Sequence, residues 1–256
     1  MKPCRRSGTA RPTTGRRKSR SVPREQDAAR PVLDRANQLR NQGKNREAER
    51  LYRQALDLRK RIFGAEHRAV AESMNFLANL LSDNERYEEA EPLYKESLAM
   101  RIKTLGFEHR EVAASLSNLA NLLQSTGRHA EAEPLYLQSL KIRKKVYGPR
   151  HQHVAMCMCN LAVFMQATGR ASKAESLFRR ALKLLEKAVG AEHELTAYTR
   201  ANFADFLLAR GSATDALSLA KEAVEDLRQA LPRGHRYNQW ARAVLKRARA
   251  QLRRLH

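Results

Sequence analysis

Apolar residues recur along this chain at helical spacing, in blocks separated by short polar breaks. Val112, Leu116, Leu119, Ala120 and Leu123 fall at i, i+4, i+7, i+8 and i+11, the stripe of an amphipathic helix. After the break at Ser125-Thr126-Gly127 a second stripe runs through Ala132, Leu135, Tyr136, Leu140 and Ile142 to Val146. Gly127 suits the left-handed residue that closes the first helix, and Gly148 takes the same role after the second. The unit is therefore helix A, a tight turn, helix B and a short loop. Pro92 and Pro134 sit about two turns into helix B, where each removes one backbone hydrogen bond and predicts a slight kink. Arg50 and Ser176 at the same position show that proline is not required there.

The unit repeats. The string EAEPLY at Glu89–Tyr94 returns at Glu131–Tyr136, 42 residues on, with EAERLY at Glu47–Tyr52, KAESLF at Lys173–Phe178 and a weaker DALSLA at Asp215–Ala220. Ala48, Ala90, Ala132, Ala174 and Ala216 hold one column, and Ala36, Ala78, Ala120, Ala162 and Ala204 another. Gly43, Gly127, Gly169 and Gly211 form a third, broken by Glu85. Gly64, Gly106, Gly148 and Gly190 form a fourth, ending at Pro232, and His67, His109, His151, His193 and His235 a fifth. Small residues in the two alanine columns let helices A and B of one hairpin touch. A hairpin alone cannot cover its apolar face, so each copy buries it against the next. Replacing Leu119 or Leu135 by Ala is expected to cost about 2–5 kcal/mol, and a single copy is expected not to fold.

Charge and composition narrow the class. The chain has 256 residues, 42% of them hydrophobic and 30% charged, which reads as globular with a polar bias. No apolar run approaches the ~20 residues of a membrane-spanning helix, and the N-terminus lacks the apolar stretch of a secretory signal. Three cysteines, Cys4, Cys157 and Cys159, give no disulfide framework and suggest a reducing compartment, taken here as the cytoplasm. Cys157 and Cys159 are two apart on a helix, so they pack rather than pinch a metal. The net charge is +22, but residues 1–24 and 227–256 each hold nine Lys/Arg and no acid, so the basicity belongs to the ends.

These columns resemble the tetratricopeptide repeats. The Ala120 and Ala132 columns match that family's small residues on helices A and B, with Gly127 and Tyr136 at its turn and aromatic positions. The period of 42 exceeds the family's usual ~34. With EAEPLY and the G-x-E-H loop (Gly64–His67, Gly106–His109, Gly190–His193), it looks like the kinesin-light-chain type over about residues 28–241. No long heptad segment precedes the repeats, so the chain reads as the repeat module alone. The resemblance implies an all-α, right-handed superhelical solenoid of five helix-turn-helix repeats plus a C-terminal capping helix. It also implies that helix A lines a concave groove. Positions flanking the small Ala there give Asn37, Asn79 and Asn121, one residue after it, and Asn118, Asn160 and Asn202, two before, with Asn75 displaced by one. A carboxamide offers donor and acceptor together, so a ladder of them can grip an extended peptide backbone. The alternative for the residues two before Ala is a structural bond to the neighbouring helix. Val163 and Asp205 interrupt the first column, so affinity is expected to concentrate in copies one to three. Asn79→Ala with Asn121→Ala should then abolish capture without lowering Tm.

Other chemistry fares worse. One His per repeat puts the histidines about 10 Å or more apart, too far to share an ion, which leaves a structural role at the entrance to helix A. His151 and His153 have no third ligand in view, and His193-Glu194 lacks the second His of a zinc protease motif. No phosphate loop and no nucleophile with a placed base appear. No catalytic residue, metal or cofactor is assigned.

The chain divides into a basic tail expected to be disordered (1–26), the solenoid (27–235) and a basic amphipathic cap (236–256). Trp240, Val244, Ala248, Leu252 and Leu255 are expected to lie on the open end of repeat five. The function expected is a monomeric, non-catalytic adaptor for extended segments of other proteins, acidic ones among them. The rival is a nucleic-acid-associated protein, or one bound to an anionic surface, that uses its basic ends; organelle targeting by the tail is a further alternative.

Overall fold

The structure, a computed structural model, describes residues 27–232 and 234–254. Cys4 and the 1–26 tail lie outside it, as does Leu255. Helices α1 (Arg30–Asn41), α3 (Arg68–Asp83), α5 (Arg110–Ser125), α7 (Gln152–Ala167) and α9 (Glu194–Ala209) are the A helices. They alternate with the B helices α2 (Asn45–Phe63), α4 (Tyr87–Leu105), α6 (His129–Tyr147), α8 (Ala171–Ala188) and α10 (Ala213–Ala230), and α11 (Arg236–Arg253) closes the series. There is no strand among the described residues. The described residues form an all-α solenoid of five hairpins and a final helix. No helix among the described residues is long and apolar enough to cross a membrane.

The columns have physical causes. Both alanine columns are fully buried, so adjacent helices meet at backbone distance. Each A helix from α3 onward, and α11, begins at the column histidine, whose Nδ1 accepts from the backbone N–H two residues on, at Ala69, Glu111, His153, Leu195 and Tyr237. Histidine thus does here what Ser or Asp usually does, satisfying an orphan donor of the first turn. Gly43, Gly127, Gly169 and Gly211 all have positive φ at the A–B turn, and Glu85 holds φ 60° at the same place. Gly148 differs from the expected left-handed form. Its φ of 82° and ψ of 159° lie in the mirror-extended region, which turns the chain out of helix B rather than curling its last turn. α4 and α6 run unbroken through Pro92 and Pro134.

Polar ladders tie each copy to the next. The buried Arg59 and Arg101 reach forward from helix B to the Ala69 and Glu111 carbonyls, and to the Ser73 and Ser115 hydroxyls, in the next helix A. Nearer the surface, Glu49–Arg86, Glu91–Arg128 and Glu133–Arg170 pair across successive copies at 2.6–2.8 Å. Glu66–Lys103 and Glu108–Lys145 form a second such ladder.

Two packing expectations differ from the structure. Leu119 is buried, but Leu135 is half-buried, so its truncation will cost less than the full core value. In α11 the buried face is Ala241, Val244 and Ala248 with Asn238, while Trp240 is 37% exposed. Spacing i, i+3, i+7 from Ala241 selects a face one residue away from the tryptophan.

Candidate functional site

The inner wall is built from A helices. A cavity of about 650 Å³ is lined by Asp83 of α3, Asn121 of α5, Val163, Gln166 and Ala167 of α7, Tyr198, Asn202 and Asp205 of α9, and Arg236, Tyr237 and Trp240 of α11. No residue of a B helix lines it. This cavity is the inner groove. Asn121 and Asn202 are the two expected residues brought into it together.

The asparagines one place after Ala share one arrangement. Tyr52 Oη lies 2.5 Å from Asn37 Oδ1, Tyr94 Oη 2.7 Å from Asn79 Oδ1, and Tyr136 Oη 2.6 Å from Asn121 Oδ1. Tyr136 Oη also lies 2.8 Å from Gln124 Oε1, so one phenolic hydrogen is shared there. Burial pushes the Tyr52, Tyr94 and Tyr136 hydroxyls above their usual range, which keeps them protonated donors. With its oxygen turned to the tyrosine, each carboxamide has its Nδ2 donors left for another acceptor.

The second column is mixed. Asn118 Nδ2 donates to Asn75 Oδ1 at 3.1 Å, the structural bond to the neighbouring copy that was the alternative reading. Asn202 Nδ2 donates to the Tyr198 carbonyl at 2.8 Å. Asn160 is half-buried, and its side chain makes no hydrogen bond among the described residues.

Charge and aromatic rings gather at the far end of the groove. Arg236 Nη1 reaches Asp83, 153 residues away, at 3.0 Å, and Arg40 Nε bonds the same carboxylate at 3.0 Å. Arg236 lies over the Tyr237 ring, which packs on Tyr198 at 4.5 Å. Arg247 pairs with Asp205 at 2.6 Å and lies over Trp240. Burial pushes the Tyr198 hydroxyl up to about 12. Asp83, Arg236, Tyr237 and Trp240 were missed as site residues by sequence reasoning. Tyr198 and Trp240 are 42 apart in one column, which was the available signal.

Among the described residues no three His, Cys, Asp or Glu side chains are grouped to hold a metal. His151 and His153 lie 5.0 Å apart beside Tyr147, and the His151 Nδ1 is already occupied as a helix cap. Cys157 and Cys159 are free and buried, with Cys159 held up to about 12 by burial, so neither is an activated thiolate.

Tetratricopeptide repeat family models match residues 27–103, 111–187 and 159–229, and a second such model matches 76–145. The chain belongs to the tetratricopeptide repeat family. This tetratricopeptide repeat protein is also similar in structure to the nearly identical TPR-like repeats assigned to a kinesin light chain of Podosopora anserina. That crystal structure has a TM-score of 0.60 and 25% identity, over 79% of this chain and 96% of that one. A single-substitution variant of the same repeats gives 0.62 and 24% over the same shares. BtubC (BKLC) from P. vanneervenii gives 0.55 and 20%, over 89% of this chain and 92% of that one. No curated protein sequence matches the chain significantly. The repeats are thus of the kinesin-light-chain-like type.

Proposed function

We propose that this tetratricopeptide repeat protein is a non-catalytic scaffold that holds extended segments of partner proteins in its inner groove. The observation that carries the reading is the set of tyrosine-oriented carboxamides at Asn37, Asn79 and Asn121. Each presents amide donors at a fixed repeat spacing, which suits the carbonyls of a peptide held in extended form. Asn202 and Trp240 add a polar and an aromatic contact at the other end. Asn118 has the weaker claim since its amide already serves Asn75, and Asn160 has no tyrosine contact to orient its carboxamide. The Arg236–Asp83 contact crosses the groove, but both side chains are about half exposed, so such a pair contributes under about 1 kcal/mol and a guest can displace it.

The tyrosine contacts change the best test. Alanine at Asn79 and Asn121 would remove the tyrosine partners as well as the amide donors, so the expectation of unchanged stability no longer holds for that variant. Asn79→Asp with Asn121→Asp keeps an acceptor for each tyrosine while replacing the amide donors with carboxylate charge, which repels peptide carbonyls. Peptides selected on the intact protein from a random twelve-residue display library should lose affinity for this variant at unchanged Tm. Equal affinity would remove the asparagines from the site.

A further inference from the structure

We propose a second binding site, on the outside of the solenoid where copies three and four meet, for an acidic protein segment that carries apolar side chains. The proposal does not rest on the groove reading. It begins from a break in a ladder. Glu66 pairs with Lys103 and Glu108 with Lys145, each a loop acid reaching the next copy's helix B. One period on, the lysine persists as Lys187, but the acid position holds Arg150. The junction therefore sets two like charges where its predecessors set an ion pair.

The break coincides with a cleft. A cavity of about 460 Å³ is lined by Arg150, Arg180, Lys183 and Lys187, with Met158, Leu184 and Ala188 among its apolar residues. No acid lines it. Among the described residues none of the four cations has an acid within ion-pair distance, whereas Lys103 and Lys145, which precede Lys187 in its column, are both paired. The corresponding positions one copy earlier are Glu108, Gln138, Lys141 and Lys145, and one copy later Glu192, Glu222, Glu225 and Gln229. Of these three junctions only this one is wholly basic.

Shape and chemistry select the ligand class. Arg180, Lys183 and Lys187 follow one face of α8 at i, i+3 and i+7, a row of about 10 Å at 1.5 Å per residue. A single phosphate cannot reach all of that row, whereas several carboxylates of one peptide can. The apolar lining then takes a Leu- or Met-sized side chain, desolvating the rim and strengthening each ion pair. No aromatic side chain lines the cleft on which a nucleotide base could stack.

Fluorescence anisotropy on the full chain tests this with a labelled peptide, Glu-Glu-Leu-Asp-Glu-Leu-Glu-Glu, and the same peptide with Ser for Leu. Arg150→Glu restores the residue type that copies one and two tolerate, so it is expected to fold. It should weaken the Leu peptide about tenfold, and Lys183→Glu should do the same. The Ser peptide should bind about tenfold less tightly than the Leu peptide, which separates the cleft from leucine-blind attraction to the basic ends. Asn79→Asp with Asn121→Asp should leave this binding untouched even if it abolishes groove capture. The proposal is overturned by failure of the Leu peptide to bind the wild type. Unchanged affinity in Arg150→Glu, or equal binding of the Leu and Ser peptides, also overturns it. So does a thymidine oligonucleotide that loses affinity in Arg150→Glu as steeply as the Leu peptide, since the cleft would then serve nucleic acid.

Discussion

Copies one to three and copies four to five of the solenoid share a backbone plan but differ at one pair of inner positions. In the first three, a tyrosine of helix B donates to an asparagine of helix A, 15 residues before it. In copy four the same positions are Val163 and Phe178, and in copy five Asp205 and Ala220. Tyr136 and Phe178 are both fully buried. A buried hydroxyl without its partner costs about 1–3 kcal/mol, so the tyrosine occurs only in the copies that supply its acceptor. Copy four replaces the bond with rings, Phe178 packing on Phe203 and Phe206 at 5.4 and 5.5 Å. The first half of the inner wall is thus polar and oriented. The second half sets the Tyr198, Tyr237 and Trp240 rings beside Asn202, Asp205 and Arg236. A segment lying along this groove would meet amide donors first and rings afterwards.

The largest expected effect comes from the aromatic half. Phe178→Ala should lower unfolding free energy by about 3–5 kcal/mol in chemical denaturation, because the cavity it leaves is walled by two other phenylalanines. Phe178→Tyr should also destabilise, by about 1–3 kcal/mol, since Val163 offers no acceptor. If Phe178→Tyr is neutral, the pairing rule between these positions is wrong.

Transplanting the copy-four pair into copy two sharpens the same point. Asn79→Val and Tyr94→Phe should each cost about 1 kcal/mol, and the double variant should cost less than their sum by about 1 kcal/mol. Strict additivity would mean that the 2.7 Å contact contributes no coupling.

Acid should act on both halves alike, through the histidine caps. Burial first, and then the neighbouring Arg68 and Arg236 respectively, lower the pKa values of His67 and His235 from 6.5. The folded state therefore prefers neutral imidazole, whose Nδ1 accepts the helix N–H, while a charged ring would also face the positive helix end. This contribution is fully present above about pH 6.5, the unfolded value, and is lost as pH falls through the lowered folded values. His67→Asn, which can cap without titrating, should flatten part of that loss, about 1 kcal/mol per cap, in denaturation curves between neutral and mildly acidic pH.

The smallest effect concerns the one A–B turn that departs from the glycine column. Glu85 holds φ 60° where the other four copies have glycine. Glu85→Gly should raise stability by about 0.5–1 kcal/mol, the strain relieved outweighing the entropy added to the unfolded chain. A loss of stability would show that the glutamate side chain compensates for its backbone.

Much of the fold was legible because its causes repeat. Buried alanines, turn glycines and apolar stripes recur every 42 residues, so each copy confirms the others. The histidine column was visible, but its capping chemistry was not, because His is absent from the usual N-cap preferences. The Asn–Tyr pairing was hidden by its spacing, since the two residues sit on different helices. Their joint change to Val163 and Phe178 was the clue in the sequence. Trp240 was misplaced because i, i+4 counting favours the largest apolar residue, whereas α11 buries the alanine-rich face beside it. Arg150 stood in plain view as an exception to the G-x-E-H loop, at Gly148-Pro149-Arg150-His151, but its meaning needed the Glu–Lys ladder.

The central claim is that a guest segment lies against the inner wall, and site-specific photocrosslinking tests it most directly. A benzoylphenylalanine placed at Val163 in the groove, and another at the exposed Leu137 of α6, would each be irradiated with a labelled library-selected peptide. The account predicts crosslinking from position 163, suppressed by unlabelled peptide, and none from position 137. Crosslinking from 137 without 163, or from neither despite measurable binding, would contradict it.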